Sequence, residues 1–352
     1  MIENDQFAFF IIESQCLRHL HIEISPFLTF LKRITTLIII EPYNLQSITI
    51  HNDIFCKSVY NISMKTSISS PKPSWLKVQL PHGQNWRNVE EVLASHGLHT
   101  VCDEAHCPNK GECWGSGTAT FMIMGDTCTR GCRFCAVKAA RFGQPLDPEE
   151  PRHLAEAVKS LSLSYAVITS VDRDDLPDRG ASHFSACIHA IRNLSPSTRV
   201  EVLIPDYIGQ ELREVLSAMP DILAHNIETV RRLQSIRDQR ASYDKSLQTL
   251  SEAASTGIPI KSSLLLGLGE TEKEVLEALQ DLRSAGVSLI VMGQYLQPTP
   301  NEIPVEEYIS PEKFDKYADM AKALGFDSVL SVPFARTSFH AREAWSASKK
   351  ET

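Results

Sequence analysis

The sequence has no apolar run long enough to cross a membrane. Its longest such stretch, 27–40, is interrupted by Lys32 and Arg33, and a spanning helix needs about 20 consecutive apolar residues. Positive charge is not in surplus either. The 35 Lys and Arg stand against 43 Asp and Glu, for a net charge of −8 and a pI near 5.9. No basic field is therefore available to draw in nucleic acid. The first residues carry Glu3, Asp5 and Glu13 where a secretory signal or transit peptide would carry Arg or Lys. Repeats and low-complexity tracts are missing. The nine cysteines, six of them between 102 and 135, are not the evenly spread pairs of a secreted disulfide framework. What remains is a chain of 352 residues with an ordinary apolar fraction, enough for one large domain or two small ones. Unpaired thiols are kept in a reducing compartment, so a cytoplasmic setting is expected.

What is present is concentrated in two groups of thiols. Cys128, Cys132 and Cys135 form a CxxxCxxC spacing directly after an apolar run, 120–125, that reads as a buried strand. Just upstream, Cys102, Cys107 and Cys113 are spaced CxxxxCxxxxxC. Each group is one ligand short of a closed structural zinc site, which takes four. Three thiolates on a four-iron cube would instead leave one iron open. Two triplets separated by one short strand make two clusters the economical reading, with a zinc knuckle completed by a distant ligand as the alternative. Cys16, Cys56 and Cys187 have no metal-like spacing and read as small hydrophobic residues. His96, His99 and His106 lie near the thiols and read as solvated loop histidines; imidazole ligation belongs chiefly to zinc and copper.

From residue 120 onward, apolar β-rich runs alternate with segments of helical period. The strand-like runs are 120–124, 166–171, 200–204, 222–225, 260–266 and 288–292. The amphipathic segments are 154–161, 184–194, 210–219, 243–255, 272–285 and 311–324. Near-continuous apolar strands alternating with helices predict a parallel sheet with helices outside. Six units are fewer than the eight that close a barrel, and the pattern alone also allows a doubly wound sheet. Either way ligands gather at the C-terminal strand ends, where the loop of Cys128 falls. Before this region, 88–93 predicts one helix, capped by Asn85 or Asn88 and stopped by Gly97. Residues 1–63 differ in character from the rest. Met64, followed by Lys65-Thr66-Ser67 and Pro71-Lys72-Pro73-Ser74-Trp75, reads as the true start of translation, with a membrane-associating or partner-binding extension as the rival.

CxxxCxxC with Phe134 before its last cysteine resembles the cluster loop of the radical S-adenosylmethionine (SAM) superfamily. The upstream triplet narrows this. Cys107-Pro108-Asn109, Gly111-Glu112-Cys113-Trp114 and the run from Gly125 to Val137 resemble the lipoyl synthase family, over roughly residues 75 to 345. The resemblance implies a partial (β/α)6 TIM-like barrel, open on one side. Its N- and C-terminal extensions would carry an auxiliary cluster. The implied divisions are an extension at 1–63, a cysteine-bearing segment at 64–118, the barrel at 119–325 and a C-terminal segment at 326–352.

The same resemblance implies two 4Fe-4S clusters and SAM. One cluster would sit on Cys128, Cys132 and Cys135. Its electron would cleave SAM to a radical that takes hydrogen from C6, then C8, of a protein-bound octanoyl chain. The other, on Cys102, Cys107, Cys113 and Ser338, would supply the two sulfur atoms. Side-chain acids and bases cannot activate such carbons, so the radical chemistry has to come from cofactors. A serine oxygen is a harder ligand than thiolate, which makes Ser338 the expected point where dismantling starts. SAM would be met by Thr169, Ser170 and Asp172 after the second run, Asn226 and Glu228 after the fourth, and Gly267 and Gly269 after the fifth. An ammonium needs acceptors, and glycine lets backbone approach a ligand.

Departures from the family pattern are Arg179 and Val332 in place of glycines, Thr337 in place of serine and Phe339 in place of tyrosine. These leave cluster ligation possible and leave room for a paralogue with another acceptor; a non-catalytic zinc or redox-sensing protein is a separate alternative. The implied partners are octanoylated lipoyl carrier domains, of a 2-oxoacid dehydrogenase acyltransferase subunit or the glycine cleavage H protein, and a small electron carrier, ferredoxin or flavodoxin. The implied protein is a monomer with no nucleic-acid or membrane partner.

Overall fold

In the computed structural model the described residues are 72–77, 84–116 and 118–348. The readings on 1–63, on Met64 and on Cys16 and Cys56 lie outside them. Eight strands form one sheet in sequence order: β1 (His99–Thr100), β2 (Thr120–Ile123), β3 (Tyr165–Ser170), β4 (Arg199–Leu203), β5 (Ile222–Ala224), β6 (Ile260–Leu266), β7 (Leu289–Gln294) and β8 (Ser328–Ser331). Only β1 runs antiparallel, against β2; every other pairing is parallel. The order ends at β1 and β8, which do not pair, so the barrel is open between them. All six predicted strands form and are largely buried on both faces, as parallel strands covered by helices are; β4 and β6 carry buried Glu201 and Lys261 among their apolar residues.

Two strands went unpredicted. β1 has two residues, and β8 has two apolar residues between serines, too few for a periodic signal. The sheet therefore continues past residue 325, where the barrel was expected to end.

The helices are α1 (Gln84–His96), α2 (Val101–Glu104), α3 (Lys110–Gly115), α4 (Glu150–Ser160), α5 (Ala181–Leu194), α6 (Gly209–Ser217), α7 (Tyr243–Ala254), α8 (Glu272–Ser284), α9 (Pro311–Ala323) and α10 (Ala341–Ser348). Some of their starts follow capping chemistry. Ser242 and Ser310 accept from the third helical amide, and Thr271 and Glu274 form a reciprocal box. The predicted caps of α1 are corrected: Asn85 and Asn88 both lie within the helix. Asn85 instead donates from Nδ2 to the Gly115 carbonyl at 3.0 Å, fixing α1 to α3. Gly97 does follow the helix, with φ at 64°, the left-handed stop that glycine adopts without penalty. Trp86 of α1 and Trp114 of α3 stack with centroids 4.6 Å apart, and the Lys110 ammonium lies over both rings.

The chain after β8 crosses the barrel from one end to the other. The Gln294 amide, at the end of β7, donates to the Pro333 carbonyl at 3.0 Å. Halfway down, Thr337 Oγ1 lies 3.0 Å from Asn226 Oδ1 and from Ser263 Oγ of β6. Lower still, Ala341 and Trp345 of α10 pack on Tyr165, Val167, Ile222 and Leu289, near the strands' beginnings. Beside them Glu201 is fully buried with Lys261 Nζ at 2.9 Å and the Tyr165 hydroxyl at 2.5 Å. Cys187 is buried in the main core, as its lack of metal-like spacing implied. No helix among the described residues is long and apolar enough to cross a membrane.

Candidate active site

The C-terminal strand ends open into a cavity of about 700 Å³. All six clustered thiols line it: Cys128, Cys132 and Cys135 from the loop after β2, and Cys102, Cys107 and Cys113 from α2, α3 and the turn between them. Ser338 reaches the same cavity from the segment that crosses the barrel. A distant residue is thus brought to the cavity that both triplets line by the return of the chain through the lumen. Asn109, buried beside Cys107, reinforces this by donating from Nδ2 to the Phe334 carbonyl at 2.7 Å.

Within each triplet the thiols are close enough to repel one another as anions. Burial, then the neighbouring Cys102 and Cys107, push Cys113 up to about 12. Burial, then Cys132 and Cys128, do the same to Cys135, also to about 12. Cys128 rises to about 12 through burial and the Asp172 carboxylate, and Cys132 to about 11 through burial, Asp172 and Glu228. Cys102 rises to about 11 and Cys107 rises too, burial leading in both. Such thiols become thiolates only when a metal supplies the compensating charge. Among the described residues no three His, Cys, Asp or Glu side chains close on one point as ligands of a single ion. A cubane asks for something different, one thiolate at each of several iron corners, and two convergent triplets suit it.

The cavity also holds acceptors with no hydrogen-bond donor. Ser170 Oγ and Asp172 Oδ1 are buried without a hydrogen-bond partner, and both line the wall with Thr169, Asn226 and Glu228. Burial raises Glu228 and Asp172 above the usual carboxylate range, against the pull of Arg237 and Arg130 respectively. Acceptor oxygens with hydrogen-bonding capacity to spare in a desolvated pocket suit a donor-only cation such as an ammonium. Glu228 is turned into the cavity by a left-handed backbone, φ 67°. Thr169 is already engaged, donating to the Leu203 carbonyl at 3.1 Å.

Gly267 and Gly269, expected to admit a ligand, are not on the cavity wall. At Gly267, with φ at 95°, a Cβ would meet Gln294 Nε2 at 2.2 Å and the Glu307 carbonyl at 2.3 Å. Its glycine answers to the packing of the strap after β7. His106 does border the cavity, whereas His96 bonds the Val92 carbonyl and His99 pairs with Glu104.

The thiol loop is held by charges that spacing alone did not reveal. Arg130, between Cys128 and Cys132, is 3% exposed; its Nε and Nη2 each lie 2.9 Å from the Asp174 carboxylate, and Nη2 lies 2.8 Å from Asp206 Oδ1. The Gly131 amide donates to Asp238 at 3.0 Å, and the Asp238 amide to Cys132 Sγ at 3.3 Å. Burial works against ionisation of Asp206, yet its bonds from Arg130 and Arg179 hold it well below the usual carboxylate range. The available signal was position: Asp174 and Asp206 follow β3 and β4 at the strand ends where ligand-binding loops lie.

Comparison with known proteins agrees with this geometry. The Radical SAM superfamily profile matches residues 122–282, and that of the N-terminal domain of lipoyl synthase matches 58–107. Lipoyl synthase of Anaeromyxobacter dehalogenans is 52% identical over 281 residues, 78% of this chain and 95% of that one. Lipoyl synthases of Methanocella arvoryzae and Picrophilus torridus are 49% and 51% identical, over 79% and 76% of this chain and 95% and 94% of theirs. Among solved structures, the FeFe-hydrogenase maturase HydG of Carboxydothermus hydrogenoformans superposes with a TM-score of 0.51 at 15% identity. That pairing covers 64% of this chain and 55% of that one, and it speaks to the fold alone. With about half of the aligned residues identical across nearly the whole length of such relatives, the chain belongs to the lipoyl synthase family of the radical SAM superfamily.

Proposed function

We infer that this protein inserts two sulfur atoms, at C6 and C8, into an octanoyl chain carried on a lysine of a lipoyl carrier protein, forming the lipoyl group. The observation that carries the reading is the convergence on one cavity of two thiol triplets, Ser338, and the Ser170 and Asp172 oxygens that receive no hydrogen bond. Cys128, Cys132 and Cys135 would hold one 4Fe-4S cluster, and Cys102, Cys107, Cys113 and Ser338 an auxiliary one. When bound, the first cluster with SAM supplies the one-electron chemistry that opens unactivated C–H bonds, and the second supplies the sulfur.

The protein's own residues position and enclose. Ser170, Asp172 and Glu228 offer acceptors to the SAM ammonium, and Asn226 shares that wall. Arg130, tied to Asp174 and Asp206, keeps the loop of the first triplet in place. Val101, Met122, Leu264, Leu296 and Phe339 supply apolar lining suited to an alkyl chain, and a site so lined keeps water from reactive intermediates. Phe339, where the family pattern has tyrosine, packs edge-on to His340 with centroids 4.1 Å apart and adds no donor there.

The substrates are octanoylated carrier domains, of 2-oxoacid dehydrogenase acyltransferase subunits or the glycine cleavage H protein. Ferredoxin or flavodoxin supplies electrons to a monomer. Thiols awaiting iron need a reducing compartment, and the cytoplasm is the one we infer. The test is anaerobic reconstitution followed by reductant, SAM and an octanoylated lysine peptide. The expected result is a brown protein with about eight irons per chain and a lipoylated product. Zinc in place of iron, or SAM cleavage with no sulfur in the peptide, would overturn the reading.

A further inference from the structure

Arg179 occupies a left-handed backbone conformation, φ 53°, which bulky side chains avoid. Its surroundings show what holds it there. Its carbonyl accepts the Tyr207 hydroxyl at 2.7 Å, and its guanidinium lies 5.2 Å from the centre of the Tyr207 ring. Nη2 is 2.5 Å from Asp206 Oδ1, Nη1 donates to the Asp206 carbonyl at 3.1 Å, and Nε is 3.4 Å from Asp174 Oδ1. Those two carboxylates are the ones that grip Arg130 between Cys128 and Cys132.

The node is balanced in charge. Asp172, Asp174, Asp206 and Asp238 face Arg130, Arg179, Arg240 and Lys245 through ion pairs of 2.5 to 3.4 Å. Asp206 is fully buried and Asp174 largely so, so the balance is little screened by water. Asp172 carries it to the thiols, with Oδ2 3.9 Å from Cys128 Sγ. Taking Arg179 away leaves one uncompensated negative charge in this node.

We propose that Arg179 is a positioning residue that sets the charge balance beside the three-thiol loop and thereby the reduction potential of the cluster held there. The inference rests on that loop being a cluster site, as argued above. Reduction adds an electron, so a nearby cation favours the reduced state, and net local charge is one of the factors that set such potentials.

The experiment is a redox titration of the reconstituted protein without SAM, followed by the electron paramagnetic resonance of the reduced cluster, with iron counted in each sample. Arg179→Gln is expected to shift the midpoint potential downward, and Arg179→Lys to restore it toward the wild-type value. Asp206→Asn, which removes an anion from the same node, is expected to shift it upward. Loss of packing alone would not give opposite signs. Arg179→Gln with its irons and an unchanged potential overturns the role while leaving the proposed function standing. Equal shifts in one direction for Arg179→Gln and Asp206→Asn overturn it as well. Should Arg179→Gln not fold, Lys245→Gln removes a cation 3.1 Å from Asp206 at a partly exposed position. A downward shift there supports the role, and no shift overturns it. A wild-type chain that takes up no iron overturns both readings.

Discussion

His225 is a histidine that the fold keeps from titrating. Its Nδ1 lies 2.9 Å from the Ile204 carbonyl, which can only accept, so Nδ1 carries the proton. Nε2 then accepts from Ser246, whose oxygen also takes a bond from Arg237. Burial, then the charge of Arg237, lower His225 to about 4 from 6.5. The unfolded chain therefore binds this proton first as pH falls. The stability is present in full above pH 6.5 and is lost between about 6.5 and 4, by as much as about 3 kcal/mol. Denaturant titrations of the wild type and His225→Gln across that range check this: the difference between them should shrink as pH falls.

Thr337 is a second residue-scale case. Its hydroxyl has one proton, which the Asn226 oxygen receives, while Ser263 donates to it. Thr337→Val should cost about 1–3 kcal/mol by leaving buried polar groups unpaired, and Thr337→Ser should cost little, both measured by chemical denaturation. The family pattern's serine and this threonine thus do the same work. Arg179 is less neutral. Its backbone conformation costs on the order of 1 kcal/mol, which the Asp206 and Asp174 pairs offset.

At the scale of elements, β4 and β6 are joined by a buried ion pair. Glu201 and Lys261 are essentially inaccessible, and the Tyr165 hydroxyl completes the set. Lys261→Met is expected to cost about 3–5 kcal/mol, because it strands a buried carboxylate. Adding Glu201→Gln should recover most of that loss. Equilibrium unfolding of the single and double variants measures both, and a double variant as unstable as the single would remove the pairing argument. α10 packs beside the same end through Ala341 and Trp345, so this pair and the apolar plug together close the end opposite the cavity.

At the scale of the whole molecule, segments flanking the parallel strands on both sides in sequence meet at one cavity. Cys102, Cys107 and Cys113 come from between β1 and β2 and Ser338 from after β8. A site shared this way is assembled only when the chain is folded. Ser338→Cys would put a soft thiolate where we propose a hard oxygen ligand. It should leave about eight irons per chain and slow formation of the sulfur-bearing product. Iron analysis beside the peptide assay reads this, and an undiminished rate would remove any special part for the serine oxygen.

The sequence alone determined the periodic parts. Six apolar runs became β2 to β7 and six amphipathic segments became α4 to α9, because burial on both faces of a strand and on one face of a helix leaves a local pattern. It also determined the two triplets, since ligand spacing within a loop is a local property. Only the tertiary structure decided that Ser338 shares a cavity with residues more than two hundred positions earlier, and that Arg179, Asp206 and Arg130 form one charge node. Nor could spacing tell that Gly267 makes room for Gln294 and Glu307 rather than for a ligand. These are pairings between segments far apart in the chain. Their energies come from burial and Coulomb attraction across the fold, and neither leaves a mark in the order of neighbouring residues.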